Sequence, residues 1–341
     1  MSLQQTKKVI RDFLLNKDAE VLSIRGDWGV GKTFFWKEAI KQVKDDPKFC
    51  RDKYCYLSLF GTASLAELKV KICENLVDRT RIAKGFSVES LKQNVDKLVM
   101  QWGWQRGITQ LRKSFYHVLA PVNLEPLFMF LAFREVKDTL ICIDDFERKG
   151  GKLSTQEVLG LILDLKEERN CKIVLIFSDA KLDENTAKDY AEYREKVIDI
   201  DVPFKPTSKE SASLVLNATD IDAQLSSFTN KLDITNIRIL KRIQRAAHKT
   251  VPLLQDFDPL VTRSALQTLA LFGRCFYSKD SRFPPYDYVK TYGYHLGKEE
   301  TPEEQKWEAF LREYEFRETD ELDIALSFAD SSSQCIISPT A

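Results

Sequence analysis

Residues 21–36 run Val21-Leu22-Ser23-Ile24-Arg25-Gly26-Asp27-Trp28-Gly29-Val30-Gly31-Lys32-Thr33-Phe34-Phe35-Trp36. The short apolar run Val21 to Ile24 is the pattern of a buried strand, and a glycine-rich turn follows it. From Lys32 onward Phe34, Phe35, Ile40 and Val43 fall at helical spacing. Gly26 to Thr33 therefore fits G-x-x-x-x-G-K-[ST] in the strand-turn-helix setting that gives the motif its meaning. Each residue type answers to phosphate chemistry. Glycines let backbone N–H groups converge on phosphate oxygens, and the helix N-terminus adds its positive end. Lys32 neutralises β- and γ-phosphate charge, and the Thr33 hydroxyl ligates magnesium. The expected nucleotide-binding set is Gly26, Asp27, Trp28, Gly29, Val30, Gly31, Lys32, Thr33 and Phe34, with ATP and Mg2+ as its ligands.

Working outward, Tyr54 to Phe60 has the pattern of a second strand. Ser64 to Val77 has that of a helix with Ser64 at its N-cap and Glu67 completing a capping box. Two strongly apolar strands, Thr139 to Ile143 and Lys172 to Phe177, flank a helix from Thr155 to Glu168, and a further strand is expected at Val197 to Val202. Strand and helix alternate through residues 20–205, which predicts an α/β fold of the P-loop NTPase type: a mostly parallel sheet sandwiched by helices. Residues 1–206 form this expected core, with a helical insertion at about 66–135. A helical lid is expected over 207–274, with Leu214, Ile237, Leu240, Ile243 and Leu269 in its core. Residues 275–341 follow as a helical extension with a frayed, serine-rich end.

A second chemical element is Leu140-Ile141-Cys142-Ile143-Asp144-Asp145. It is an apolar strand that delivers two carboxylates at its C-terminal end, where open α/β sheets bind ligands. In this Walker B form Asp144 holds magnesium and Asp145 polarises the attacking water, a role more often taken by Glu. Ile173 to Phe177 ends in Ser178 and Asp179, which bring a polar side chain to the tip of another core strand where a water-positioning sensor can sit. Arg194 and Lys196, before the expected last strand, and Arg238, in the helical segment, are candidate cations for a γ-phosphate in cis or in trans.

Bulk properties narrow the classes. The 341 residues carry 51 basic and 51 acidic side chains, 43% hydrophobic and 30% charged residues, the composition of a globular chain of two or so units. The zero net charge does not indicate a nucleic-acid partner, although Lys241, Arg242, Arg245 and Lys249 form a local basic patch. Trp102, Trp104, Arg106, Arg112 and Lys113 mix aromatic and basic residues in a way that supports an alternative reading as a DNA-associated motor or loader. Seven scattered cysteines without a C-x-x-C pair, with three histidines, argue against zinc and for reduced thiols in a cytoplasmic protein. The N-terminus lacks a signal-peptide core, and no stretch has the ~20 apolar residues of a membrane span. No LSGGQ-like or N/T-K-x-D element points to an ABC transporter ATPase or a Ras-type GTPase.

With these elements in view, the chain resembles the KAP family of P-loop ATPases, a branch related to STAND and AAA+ proteins. The resemblance spans roughly residues 1–250 and is carried by YLSLFGTASLAEL (56–68), IDDFER (143–148, against the family's I-D-D-L-D-R) and YREKVIDIDVPFKP (193–206). It implies an AAA+-like core with a helical lid, Asp144 and Asp145 as Walker B carboxylates, and Arg238 as a lid-borne sensor. It also raises Arg148 and Arg194 as candidate contacts. Many members carry transmembrane helices between the two Walker motifs, and residues 66–135 contain no qualifying span. Several bacterial relatives take part in excluding or sensing phages. The resemblance therefore implies a regulatory ATPase that forms a homo-oligomer on ATP and works with a separate effector protein. An ATP-stabilised scaffold with little turnover is the remaining alternative.

Overall fold

A computed structural model describes residues 2–82, 132–278, 280–294, 301–329 and 332–335. The chain divides into two compact units, one of residues 1–28 and 32–205, the other of residues 29–31 and 206–341.

The first unit opens with α1 (Leu3–Leu15), started by a capping box between Ser2 and Gln5 and anchored by buried Ile10, Phe13 and Leu14. It continues through β1 (Val21–Arg25), α2 (Lys32–Val43), β2 (Lys53–Ser58), α3 (Leu65–Glu74) and β3 (Leu76–Asp78). After residues 83–131 come β4 (Thr139–Asp144), α4 (Thr155–Glu167), β5 (Lys172–Phe177), α5 (Glu184–Val197) and β6 (Ile200–Pro203). The sheet order is β3-β2-β4-β5-β1-β6. Every pairing is parallel except that of β3 with β2. The strand leading into the glycine loop is thus separated from the Asp144 strand by β5 alone. Both β4 and β5 are buried along their whole length, as a strand covered by helices on two faces must be. This is the α/β sheet expected from the alternation of apolar runs.

Packing fixes the turn that follows β4. Phe146 is fully buried, with its ring 5.7 Å from Phe177 and 6.3 Å from Tyr190 in tilted or edge-on contact. Burying such a side chain contributes about 1.5–3 kcal/mol, enough to hold the short 3₁₀ turn Phe146–Arg148 against the sheet.

Details of the first unit differ from the sequence expectation. The helix α5 continues through Val197, because Thr186, Tyr190 and Val197 all lie on its buried face, and the last strand starts only at Ile200. Within the stretch expected to be a helical insertion, Leu76–Asp78 instead pairs with the edge of β2 and satisfies that edge's backbone groups. Glu67 does not close a capping box on Ser64. Ser64 Oγ accepts from the Glu67 N–H, and the Glu67 carboxylate takes the Ala63 N–H at 2.8 Å. Trp102, Trp104, Arg106, Arg112 and Lys113 lie outside the described residues.

The second unit contains α6 (Ser208–Val215), α7 (Asp220–Lys231), α8 (Ile237–Thr250), α9 (Pro259–Tyr277), α10 (Tyr286–Lys290), α11 (Pro302–Glu313) and α12 (Glu321–Ala325). Of the expected core positions, Ile237, Leu240, Ile243 and Leu269 are buried, whereas Leu214 is half-buried and its neighbours Val215 and Leu216 point inward. A polar node joins α7 to α8: the fully buried Asp222 accepts from Gln244 Nε2 at 3.0 Å and faces His248 Nε2 at 2.9 Å. The helix α9 runs unbroken across residues 274 and 275, since Phe272 and Cys275 continue its buried face. Helices do not fill the whole C-terminal region, for Phe328–Ala329 and Ser332–Cys335 form β7 and β8 of a two-stranded antiparallel hairpin.

Candidate functional site

Gly29 and Gly31 carry φ of +83° and +98°, a region open to glycine and strained for other residues, which explains their spacing in the loop. Gly26 is needed for closeness instead, as a Cβ there would lie 2.2 Å from the Phe204 carbonyl oxygen. Within the second unit the Ile237 N–H donates to the Gly29 carbonyl at 2.9 Å, and a Cβ on Gly29 would lie 2.3 Å from Asn236 Nδ2. Asn236 caps α8, its Oδ1 accepting from the N–H groups of Arg238 and Ile239 at 2.9 and 3.3 Å. The sequence reading singled out Arg238 and passed over Asn236, although an Asn before an apolar-periodic run is a helix-start signal.

Lys32, the first residue of α2, is buried, and its Nζ donates to the carbonyls of Gly26 and Asp27 at 2.7 and 2.8 Å. These two bonds draw the glycine turn into a ring around the ammonium, which has a third N–H to offer a ligand. Burial pulls the Lys32 pKa below the usual lysine range, opposed first by the Glu147 carboxylate and then by Asp144. Val30 is buried, Thr33 and Phe34 are half-buried, and Asp27 and Trp28 are exposed.

The end of β4 meets this loop. Asp144 Oδ2 accepts from Thr33 Oγ1 and from the Tyr56 hydroxyl, both at 2.7 Å. Asp144 Oδ1 takes the Asp145 N–H at 2.9 Å. Tyr56 comes from β2, which runs parallel to β4 with Ser58 opposite Asp144, so the register itself brings the phenol to the carboxylate. Burial and the neighbouring Asp144 push the Tyr56 pKa far up, so the phenol remains a donor. Sequence reasoning missed Tyr56, which is recognisable only once β2 is aligned beside β4.

Asp145 adopts a left-handed backbone, φ 57°. Its Oδ2 accepts from Ser58 Oγ at 2.6 Å, and Oδ1 lies 3.5 Å from Arg148 Nη1. Arg148 in turn stacks over the Phe60 ring at 3.9 Å. Glu147 is a further carboxyl of this segment. Desolvation raises its pKa, while its own N–H, that of Ser178 and the Lys32 charge favour the ionised form. Its Oε2 is buried and accepts no hydrogen bond among the described residues. Ser178, at the tip of β5, is also buried, and its Oγ has no hydrogen-bond partner among the described residues.

Arg194 lies elsewhere. On α5 it pairs with Asp201 at 2.8 Å, and Asp201 also holds Arg25 Nε at 3.0 Å and the Ser23 hydroxyl. Arg25 reaches Asp179 at 3.1 Å. This network braces the residue immediately before Gly26. Arg238 is exposed on the first turn of α8, and with Lys241, Arg242, Arg245 and Lys249 it gives that helix an exposed basic face. The helix contains no acidic residue.

Among the described residues no helix is long and apolar enough to cross a membrane, and no group of His, Cys, Asp and Glu could hold a metal ion by itself. The oxygen donors Thr33 and Asp144, adjacent to a phosphate loop, are the kind of partial set that magnesium shares with a nucleotide.

Cdc6p from Pyrobaculum aerophilum is similar in its crystal structure, with a TM-score of 0.43 and 13% identity over 94% of this chain and 82% of that one. No curated protein matches the chain. The family model for the KAP family P-loop domain matches residues 4–258, which takes in the glycine loop, the Asp144 strand and α8. A match over most of its length places this chain in the KAP family of P-loop NTPases.

Proposed function

We propose that the chain binds and hydrolyses Mg-ATP and acts as a two-state regulatory switch. The observation that carries this reading is the direct Thr33–Asp144 hydrogen bond beside the Lys32 ring. It joins the loop residue and the strand-end carboxylate that this reading assigns to magnesium. Preorganised donors of this kind lose little entropy on binding and act most strongly where charge develops in the transition state.

In this reading the loop N–H groups and Lys32 bind the β- and γ-phosphates. Thr33 and Asp144 would hold magnesium, which when bound neutralises phosphate charge. Tyr56 fixes the Asp144 carboxylate through its hydroxyl. Arg194 acts through Asp201 to position Arg25 and the start of the loop, and Arg238 serves as the nucleotide-sensing cation of the second unit. Ser178 orients the attacking water.

The Ser178 role has a distinctive signature. An unbonded buried hydroxyl costs about 1–3 kcal/mol, so Ser178→Ala leaves thermal stability unchanged or raises it. If the hydroxyl senses water, the same variant lowers kcat by ~10-fold or more while KM for ATP stays put. Unchanged kcat would remove Ser178 from the site. For Arg238→Ala we expect ATP to bind but kcat to fall ~10-fold or more. Turnover equal to wild type would reduce Arg238 to a solvated surface cation.

Switching requires that ATP favour one state over another. Light scattering with and without Mg-ATP tests this as a nucleotide-dependent homo-oligomer, and an unchanged mass ends the oligomeric form of the proposal. The family resemblance extends the reading to phage defence through a separate effector. Protection lost with Lys32→Ala in cells challenged by phage would support that, and protection retained would reject it. ATP binding with no turnover would instead favour the scaffold.

The basic face of α8 favours one second reading, an ATPase that docks on DNA. Affinity for duplex or single strands should then fall steeply with salt. No binding at low salt would set this reading aside.

A further inference from the structure

We infer that the start of α8 sets the conformation of the phosphate loop, with the Ile237 N–H as the group that positions the Gly29–Val30 peptide for nucleotide. The inference rests on the ATP-binding reading above and adds a regulatory contact to that site.

The glycine loop does not belong to the sheet alone. Gly29 to Gly31 cluster with the second unit, although Trp28 and Lys32 on either side of them cluster with the first. Within the second unit, loop and helix are fitted to each other. The Ile237 N–H donates to the Gly29 carbonyl at 2.9 Å. The Asn236 side chain fills the space that a Cβ on Gly29 would take, and Ile237 Cδ1 fills the space that a Cβ on Gly31 would take. The two glycines with positive φ are therefore the two that α8 covers.

An α-helix leaves the N–H groups of its first turn without an intrahelical partner. In α8 the N–H groups of Arg238 and Ile239 donate to Asn236 Oδ1, and Leu240 begins the regular ladder on the Asn236 carbonyl. Ile237, the first helical residue, uses the Gly29 carbonyl instead. The helix is thus capped in part by the loop.

Peptide planarity carries this to the ligand. In a trans peptide the C=O and the following N–H point to opposite sides, so the bond that draws the Gly29 carbonyl to α8 turns the Val30 N–H away from it. That N–H is one of the loop donors assigned above to phosphate oxygens. Glycine takes φ of either sign with similar ease, so without the bond the Gly29–Val30 peptide is free to turn over. ATP would then have to order the loop, at a cost in affinity. Linkage makes the effect reciprocal. Bound ATP secures the first turn of α8, and an event that draws α8 from Gly29 weakens nucleotide binding without touching a phosphate contact.

The donor can be deleted on its own. Proline suits the first helical position, and Asn236, at φ −79° and ψ 110°, already has the extended backbone that a residue before proline prefers. Ile237→Pro removes the N–H, whereas Ile237→Ala trims the side chain and keeps it. Both variants of the full chain are compared by titration with a fluorescent ATP analogue in magnesium, by thermal melting and by steady-state hydrolysis. Ile237→Pro should bind ~10-fold more weakly than Ile237→Ala, the worth of about one hydrogen bond. KM should rise in step while kcat stays within about threefold, as for a contact made equally in ground and transition states. Melting temperatures of the two variants should agree. Equal affinity in the two variants overturns the inference, and so does a loss confined to kcat. If Ile237→Pro does not fold, hydrogen exchange of residues 236–240 in the wild type decides: Mg-ATP should slow it, with no slowing in Lys32→Ala, and exchange unchanged by Mg-ATP overturns the inference. Wild-type protein that binds no Mg-ATP fails at the earlier step and removes the ATP-binding reading itself.

Discussion

Lys32→Ala should lower kcat/KM for ATP by at least ~10²–10³-fold, about 3–4 kcal/mol, with most of the loss in nucleotide affinity. Two effects combine. The Lys32 ammonium holds the carbonyls of Gly26 and Asp27, so its removal releases the ring that the glycine turn forms. It also offsets the nearby Glu147 and Asp144 charges, and without it those carboxylates repel the incoming phosphates. The fold itself should survive. The core strands β4 and β5 are buried independently of Lys32, and removing a desolvated cation relieves a burial cost. Titration of a fluorescent ATP analogue, together with a thermal melt, separates the two effects. Wild-type affinity in a well-folded Lys32→Ala protein would mean that the loop does not hold phosphate.

Asp144→Asn should act differently, through magnesium. The side chain keeps its size and one acceptor oxygen, but it loses the charge and either the Asp145 N–H contact at Oδ1 or the Thr33 and Tyr56 contacts that share Oδ2. Electrostatic stabilisation by a bound divalent ion is worth several kcal/mol, so turnover should drop by ~10³-fold or more. Affinity for ATP should persist and stop responding to magnesium. If Asp144→Asn binds ATP more tightly as magnesium is added, just as wild type does, Asp144 is not the metal-side carboxylate.

How far the sequence could carry the account depended on the kind of signal. The loop was legible because phosphate binding restricts backbone as well as side chains, and Gly29 and Gly31 take up positive φ where the motif places them. The parallel sheet was legible too, because strands buried on both faces read as unbroken apolar runs such as Leu140 to Ile143. Edges were less so. Whether Val197 closes a helix or opens a strand depends on Tyr190 and Thr186 sharing its buried face, which appears only when α5 is packed.

The carboxylates show the same limit more sharply. Adjacency marked Asp144 and Asp145 together, yet a strand alternates its side chains and the turn after it can reverse them. Asp145 consequently engages Ser58 and Arg148 rather than Thr33 or Lys32. Tyr56 could not be read from spacing at all, since its partner Asp144 lies on a different strand. Arg194 is a candidate γ-phosphate cation in sequence and is tied to Asp201 in the fold. Contacts made by register and by long-range packing are invisible to a local pattern.

The most direct test of the central claim is phosphate release from ATP by the wild-type chain, followed with excess magnesium and again with EDTA. Magnesium-dependent release that is absent in EDTA and absent from Lys32→Ala protein is the predicted result. Release that proceeds equally in EDTA, or equally without Lys32, would contradict it, because neither the Thr33–Asp144 pair nor the loop would then be the site of the chemistry.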